Sequence, residues 1–256
     1  MKKNLIVTLG IAGAILAAGV HAGSGHHSKN HWGYKGLEGP EQWAKLSTEY
    51  STCGTGTRQS PIDLAAGLLQ ADMQPISFNY SPVAPEIVNN GHTIQLNYKP
   101  GSSISVAGKS YELLQFHFHS PSENTVSGKP FDMEMHLVHQ SKQGELAVVA
   151  VFIRQGKENH NLKAAWENMP SKAGAHKVLS GVSLNAKDLL PSDKAYSHFK
   201  GSLTTPPCSE GVNWFVLNKP IEVSTKQLAK FIDVIGPNAR PVQNLNDRFV
   251  LKVSSK

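Results

Sequence analysis

The sequence predicts a mainly β, or α+β, fold: a single domain on a large, mostly antiparallel twisted sheet with a few short peripheral helices. Short runs in which apolar and polar residues alternate fill the middle of the chain, and clusters of Gly, Pro and Asn separate them. This pattern is typical of strands joined by turns, and helical spacing is rarer here. The runs that predict strands are 93–98, 103–106, 113–119, 131–138 and 146–153.

Two segments carry the spacing of a helix instead. Ser224 with Gln227 resembles a capping box and predicts a helix that runs through Ile235 and ends at Gly236-Pro237. The other segment has apolar residues at helical intervals, which predicts one amphipathic helix. Its apolar residues are Leu162, Ala165, Trp166 and Met169.

The start of the chain predicts export. Two lysines precede an apolar run over 5–20, and the small-x-small triplet at 20–22 suits a signal peptidase. A membrane anchor is the alternative, since the run approaches the length of a membrane-spanning helix, but its Ala and Gly content and the triplet favour cleavage. We therefore predict a signal peptide at 1–22 and one domain at 23–256, in the periplasm or secreted.

Composition limits the kinds of partner. The chain has a formal charge of +6, yet its basic residues are scattered, without a basic run or interleaved aromatic residues in the mature part. A mildly basic soluble surface explains this charge, so we predict no nucleic-acid partner and, after cleavage, no membrane partner.

The chain contains two cysteines, Cys53 and Cys208. In a cytosolic protein they would be independent free thiols, but in an oxidising compartment a single pair predicts one disulfide. The bridge would close a loop of roughly 155 residues, which stabilises a fold by about 5 kcal/mol on the chain-entropy model.

The most informative stretch for chemistry is 113–119. Side chains alternate between the faces of a strand, so Gln115, His117 and His119 share one face and Phe116 and Phe118 share the other. The two phenylalanines can then enter a core while two imidazoles stand side by side over a cavity.

A second strand predicts the third member of this cluster. Glu134, His136 and Val138 share one face of the run over 131–138, and the turn-rich segment 120–130 can return it antiparallel to the first strand. Three imidazoles would then meet, and three neutral nitrogens with one open tetrahedral position are the ligand set of a catalytic zinc.

Polar neighbours strengthen the zinc interpretation. Gln115 and Glu134 each lie two residues from a histidine on the same face, where they can hold its second ring nitrogen. An H-x-H pair also arises by chance in a chain with 12 histidines, and alone it would be weak. His139 falls on the opposite face and is interpreted as structural.

Motifs along nearly the whole mature chain, from 31–34 to 238–241, resemble those of the alpha-class carbonic anhydrases. They occur in the order of that family, and together they are specific. The quoted motifs are Arg58-Gln59-Ser60-Pro61-Ile62-Asp63, Asn89-Asn90-Gly91-His92, Gln115 to His119, Glu134-Met135-His136-Leu137-Val138-His139 and Gly201-Ser202-Leu203-Thr204-Thr205-Pro206-Pro207.

The resemblance implies reversible hydration of carbon dioxide to bicarbonate and a proton with Zn²⁺ as cofactor. It also implies inhibition by sulfonamides and small anions, and it leaves the choice between monomer and homodimer open, since bacterial members are often dimers. It implies cis bonds at Ser60-Pro61 and Pro206-Pro207, and cysteines joined where Cys53 and Cys208 stand, bracing the loop that follows Thr204.

Further roles come from the resemblance alone. Thr204 resembles a gatekeeper that donates to Glu123, His92 resembles a proton shuttle, and Asn238 supports a metal ligand. Three positions match polar residues of the proton path, and six match the substrate pocket. These are Tyr34, Asn90 and Gln95 for the path, and Val138, Val148, Leu203, Thr205, Val212 and Trp214 for the pocket. Gln95 departs from the asparagine common in the family, and Asn124 from a histidine.

Two alternatives belong to other classes of function. A catalytically silent binding module on this fold would typically lack a metal histidine, whereas His117, His119 and His136 are all present. A periplasmic zinc store would use several exposed histidines such as His26, His27 and His31. Ester hydrolysis remains a plausible side activity of the enzyme.

Overall fold

The structure, a computed structural model, describes residues 31–254, so the predicted signal peptide lies outside the described residues. Twelve strands in this part of the chain form one sheet. Their bounds are β1 Leu68–Gln70, β2 Ser77–Asn79, β3 Glu86–Asn89, β4 Ile94–Asn97, β5 Ser103–Val106, β6 Lys109–His119, β7 Met133–Gln140, β8 Leu146–Gln155, β9 His176–Val178, β10 Tyr196–Ser202, β11 Glu210–Val223 and β12 Val250–Val253.

The main path through the sheet is β1-β12-β10-β11-β8-β7-β6-β4-β3-β9, and β5 pairs with both β2 and β6. The pairings β1–β12 and β8–β11 are parallel, and the other pairings are antiparallel. The predicted fold class, a large and mostly antiparallel sheet with short peripheral helices, is confirmed.

The helices are short. They are α1 Trp43–Leu46, α2 Thr52–Thr55, α3 Lys163–Glu167 and α4 Thr225–Ile235, with 3₁₀ turns at Gly36–Glu38, Thr48–Tyr50, His160–Leu162 and Ala186–Leu189. Among the described helices, none is long and apolar enough to cross a membrane.

Helix α4 begins and ends where the sequence predicts. The Ser224 hydroxyl accepts from the backbone N–H of Gln227, and the Gln227 side chain accepts from the N–H of Ser224, which completes the capping box. Gly236 ends the helix with φ of 78°, a conformation that glycine adopts without steric cost.

The other predicted helix is shorter than its apolar spacing indicates. It consists of the 3₁₀ turn from His160 followed by α3, which ends at Glu167. Pro170 explains the early end, because a proline disfavours helical geometry in the residue before it. The four apolar side chains of the pattern are nevertheless buried in the core.

Strand β8 separates two apolar clusters, because it lies in the middle of the sheet and both of its faces are covered. The larger cluster takes Ala147, Val149, Val151 and Ile153, and the smaller takes Val148, Ala150 and Phe152. The larger cluster covers only one face of strand β6, through Phe116 and Phe118. The side chains on its other face are polar, so the strand keeps its alternating pattern.

The predicted disulfide joins Cys53 in α2 to Cys208, and its sulfur atoms pack with Trp43 in a third apolar cluster. The bonds Ser60-Pro61 and Pro206-Pro207 are cis, as the resemblance implies, and so is Ser120-Pro121, for which no prediction was made. Since Cys208 follows the cis pair directly, the bridge ties the loop after β10 to the helical N-terminal region.

His139 lies in the larger core, on the face of β7 away from His136. The hydroxyl of Tyr80 lies 2.7 Å from its Nε2 atom, and the two rings stack. Complete burial lowers the pKa of His139 to about 3, because the charged imidazolium would lose its hydration. The histidine is therefore neutral in the folded protein, as expected of a structural residue.

This burial predicts acid sensitivity. The folded-state pKa of His139 lies below the unfolded value near 6.5, so the unfolded chain binds a proton first as the pH falls. The stability that neutral His139 contributes is therefore fully present above pH 6.5 and is lost as the pH falls toward 3. From pH 7 to pH 5 this loss is about 2 kcal/mol. Denaturant unfolding of wild type and His139→Gln at both pH values measures it. Equal losses in the two proteins would contradict the assignment.

Candidate metal centre

The structure brings the three predicted histidines together. His117 lies directly opposite His136 in the β6–β7 pairing, and His119 follows two residues later on the same face of β6. One ring nitrogen from each histidine can be chosen so that the three atoms lie within 4.8 Å of one another. His119 and His136 are buried, and His117 is partly buried.

Two of the rings are oriented by oxygen acceptors. The Nδ1 atom of His117 lies 2.8 Å from the amide oxygen of Gln115, and that of His119 lies 2.8 Å from the backbone oxygen of Asn238. Because these oxygens can only accept, each Nδ1 carries the proton, and each Nε2 keeps its lone pair for the cluster.

The third ring is turned the other way. The Nε2 atom of His136 lies 3.3 Å from Oε1 of Glu134, which leaves Nδ1 as the free nitrogen of this ring. Glu134 is itself held by the backbone N–H groups of Glu123 and Asn124, at 2.9 and 2.8 Å, and by the Asn124 side-chain amide at 2.7 Å. Asn124 thus supports a metal-site carboxylate, although it departs from the family pattern.

These residues fit a zinc ion. The Nε2 atom of His119 is completely buried and lacks a hydrogen-bond partner, which costs about 1–3 kcal/mol unless a ligand satisfies it. Burial is the main cause that lowers the pKa of all three histidines, so the rings are neutral, as metal ligation requires. Three neutral imidazoles are a donor set typical of catalytic Zn²⁺.

Glu123 and Thr204 meet beside the cluster. The Oε1 atom of Glu123 accepts from the backbone N–H of Arg240 at 2.8 Å, and the Thr204 side chain also hydrogen-bonds to this carboxyl. Its Oε2 atom lies 3.5 Å from Nε2 of His119. Burial raises the pKa of Glu123 to about 8, whereas the two hydrogen bonds oppose the rise, and a cation at the histidines would oppose it further.

The predicted pocket residues form one apolar wall. Val148, Val212 and Trp214 belong to the smaller core cluster, and Val138 and Leu203 pack against it. The ring of Trp214 stands edge-on to His136, with 4.9 Å between centroids. Thr205 lies in the adjoining turn and is partly buried, with its backbone oxygen accepting from the N–H of Cys208.

Two of the predicted proton-path residues, Gln95 and Asn90, are hydrogen-bonded to each other. Gln95 is directly opposite His117 in the β4–β6 pairing, and the side chain of Asn90 braces the turn that carries His92. Burial, with a smaller contribution from His31, lowers the pKa of His92. Burial, and then the charge of Glu123, raises the pKa of Tyr34, so its phenol stays protonated.

Two residues near the site, Trp32 and Arg240, lie in segments that carry the family resemblance but were assigned no role from the sequence. The ring of Trp32 stacks on that of His92, with 3.7 Å between centroids. Arg240 is buried, and its guanidinium donates to Gln59, Ser60 and the backbone oxygen of Cys53. A lone arginine among unrelated neighbours gave no local signal, because its partners lie about 180 positions away in the chain.

Comparisons with known proteins agree with this geometry. The family described as eukaryotic-type carbonic anhydrase matches residues 38–254. A carbonic anhydrase of Klebsiella pneumoniae is 47% identical over 227 residues, which cover 87% of this chain and 91% of the relative.

Two solved structures share the fold closely. A hyperthermostable carbonic anhydrase from an active hydrothermal vent chimney aligns with a TM-score of 0.85 and 46% identity, over 88% of this chain and 100% of that one. The alpha-carbonic anhydrase of Thermovibrio ammonificans, in complex with the inhibitor sulfanilamide, gives 0.84 and 46%, over 87% and 99%. With its cluster of three histidines and its matching fold, the chain belongs to the alpha-class, eukaryotic-type family of carbonic anhydrase enzymes.

Proposed function

We propose that this enzyme hydrates carbon dioxide reversibly to bicarbonate and a proton, with Zn²⁺ held by His117, His119 and His136 and with His92 exporting the proton. Three neutral imidazoles converge here, and one of their nitrogens, the buried Nε2 of His119, has no hydrogen-bond partner. This observation supports the proposal most strongly. Bound there, Zn²⁺ would supply a Lewis acid that lowers the pKa of water to about 7 and so provides a nucleophile at neutral pH.

Gln115, Asn238 and Glu134 set the ring orientations that the ligand role needs. Each holds, or closely approaches, the ring nitrogen that does not face the cluster, so the free nitrogen is fixed without a loss of rotamer freedom on binding. Orientation by such partners also raises the basicity of the ligand.

Thr204 selects and orients the nucleophile. A threonine hydroxyl has one proton to donate in a hydrogen bond, and the buried Glu123, ionised when a cation is bound at the histidines, would accept that hydrogen bond. The Thr204 oxygen can then only accept a further hydrogen bond, so it favours a bound species that has a proton to donate. This hydrogen bond would orient the bound species with a lone pair toward the pocket. Species without a proton to donate are disfavoured at this position.

The apolar wall receives carbon dioxide. This substrate has no net dipole, and the side chains of Val148, Val212 and Trp214 place it near the histidines without competing hydrogen bonds. An apolar wall of this kind would favour carbon dioxide over bulky esters.

His92 carries the proton outward. Every turnover releases one proton from a donor with a pKa near 7, and an imidazole is well matched to that donor and to the buffer outside. We predict that His92→Ala lowers kcat by about tenfold or more in a weak buffer, with little change in kcat/KM. Stopped-flow hydration assays measure both, and added imidazole should restore part of kcat.

His160→Ala is the matched control, since His160 begins the 3₁₀ turn before α3 and 80% of its side chain is accessible. This control should behave as wild type. A kcat unchanged by His92→Ala would remove His92 from the proton-export role.

Metal content separates the enzyme from the alternatives. After dialysis, we expect about one zinc per chain, held by a single set of three imidazoles. A zinc store would retain several exchangeable ions, and a silent module would show no hydration activity at full metal content.

The remaining expectations are also proposed. The disulfide is typical of an oxidising compartment, which supports a signal peptide at 1–22 and a periplasmic or secreted enzyme of residues 23–256. Since the Thermovibrio relative is in complex with sulfanilamide, we propose sulfonamide inhibition here, and small anions should compete at the same place. Size measurement in solution decides between monomer and homodimer.

A further inference from the structure

A row of polar side chains crosses the sheet from its β9 edge to the turn that carries His92. We call it the polar row, and its members are His176, Glu86, Asn97, Gln95 and Asn90. Successive members are hydrogen-bonded. The distances are 2.8 Å from His176 Nδ1 to Glu86 Oε1, 2.8 Å from Asn97 Nδ2 to Glu86 Oε2, 2.6 Å from Gln95 Nε2 to Asn97 Oδ1, and 3.4 Å from Asn90 Nδ2 to Gln95 Oε1.

The polar row lies on the face of the sheet that carries the metal cluster. In the β4–β6 pairing, Gln95 is directly opposite His117, and Asn97 is directly opposite Gln115. Directly opposed residues of an antiparallel pair project from the same face. The row therefore connects the outer edge of the sheet with the side chains next to the cluster.

The outer end of the row is fixed by charge. Hydrogen bonds from Asn97 and then from His176 hold the pKa of Glu86 below its usual range, so the group is ionised at neutral pH. An ionised carboxylate can only accept hydrogen bonds. Asn97 must therefore turn its NH₂ group to Glu86, which leaves its amide oxygen facing Gln95.

The inner end is fixed by the backbone. The Oδ1 atom of Asn90 accepts from the N–H groups of His92 and Thr93, both at 2.9 Å, so its NH₂ group faces Gln95. Gln95 thus lies between an acceptor on Asn97 and a donor on Asn90. Because neighbours decide the orientation of a side-chain amide, one orientation satisfies both contacts: Nε2 toward Asn97 and Oε1 toward Asn90.

We propose that Glu86 is a positioning residue for proton export, whose carboxylate acts through Asn97 to keep the Gln95 amide oxygen turned toward Asn90 and the turn that carries His92. This inference rests on the proposed function, in which His92 exports the proton along the path that Gln95 and Asn90 line. A reversed Gln95 would set its NH₂ group against that of Asn90 and would offer donors where the path now has an acceptor.

The test compares two substitutions at Glu86. Glu86→Gln keeps the shape but can donate or accept, so both orientations of the row become similar in energy, and kcat in a weak buffer should fall by about twofold. Glu86→Lys can only donate, so it reverses the row, and kcat should fall further. In both variants kcat/KM should stay unchanged, because it reports the interconversion of carbon dioxide and bicarbonate, and imidazole should restore kcat.

Two further variants isolate the route. His176→Ala removes the other partner of Glu86 but leaves Asn97 its acceptor, so kcat should equal that of wild type. The double variant Gln95→Ala with Glu86→Gln should match Gln95→Ala alone, because the residue through which Glu86 acts is then absent.

A wild-type kcat in Glu86→Gln overturns the inference. So does a parallel fall of kcat and kcat/KM, which marks a general structural effect. His92→Ala, assayed beside these variants, separates a failure of the Glu86 inference from a failure of the proposed proton shuttle. If it lowers kcat while Glu86→Gln does not, the inference about Glu86 alone fails. If it leaves kcat unchanged, the proposed shuttle fails and this inference fails with it.

Discussion

His117→Ala is expected to lower kcat/KM for carbon dioxide hydration by about 10³-fold or more, because three protein nitrogens are the usual ligand set of a catalytic zinc and two hold it poorly. The substitution also removes the imidazole whose Nδ1 atom lies 2.8 Å from the Gln115 amide oxygen, which orients the ring. Stopped-flow assays and metal analysis of the same preparation measure activity and zinc content together.

Gln115→Ala provides a graded comparison. It keeps all three imidazoles but frees the His117 ring, and loss of such an orienting partner typically costs about 10- to 100-fold in metal affinity or activity. Zinc should raise the melting temperature of the metal-free wild type, because it binds the folded state, and should raise that of His117→Ala far less. Wild-type activity in His117→Ala at full zinc content would contradict the ligand assignment.

Removal of the disulfide is expected to have the largest effect on stability. The bond joins positions 155 residues apart, and the chain-entropy model assigns a loop of that length about 5 kcal/mol of stabilisation. The double variant Cys53→Ala with Cys208→Ala should lose about that much unfolding free energy, a large part of the stability of a typical domain. Urea unfolding of both proteins measures the difference.

A matched control uses the wild type in strong reductant, where loss of the bond without substitution should give a similar destabilisation. Zinc in excess should recover part of it in the double variant, since the ion is expected to bind the folded form more tightly than the unfolded chain. A difference below about 1 kcal/mol between the double variant and wild type would show that the loop constraint contributes little.

The parts of this enzyme that could be predicted are those whose pattern is local. Strand β6 alternates clearly because one face packs Phe116 and Phe118 into the core while the other carries His117 and His119. The capping box of α4 is equally local, as all of its hydrogen bonds lie within four residues.

The parts that could not be predicted depend on distant contacts. Strand β11 pairs with β8 in the middle of the sheet, where both faces are covered, so its central apolar run lacks the alternation that identifies a strand. The sequence also cannot show which ring nitrogen of His136 faces the cluster. That nitrogen is Nδ1 because Glu134 lies beside Nε2 in the folded protein.

Strand β8 has a consequence for how this enzyme can change. Its alternate side chains belong to two apolar clusters, with Val148 in the smaller cluster, which we propose receives the substrate, and Val149 in the larger cluster behind it. If the smaller cluster receives the substrate as proposed, substitutions at its positions on β8 could admit larger carbonyl compounds, while the neighbouring positions preserve the core. A single strand thus separates the positions where new chemistry can be selected from those where folding would fail.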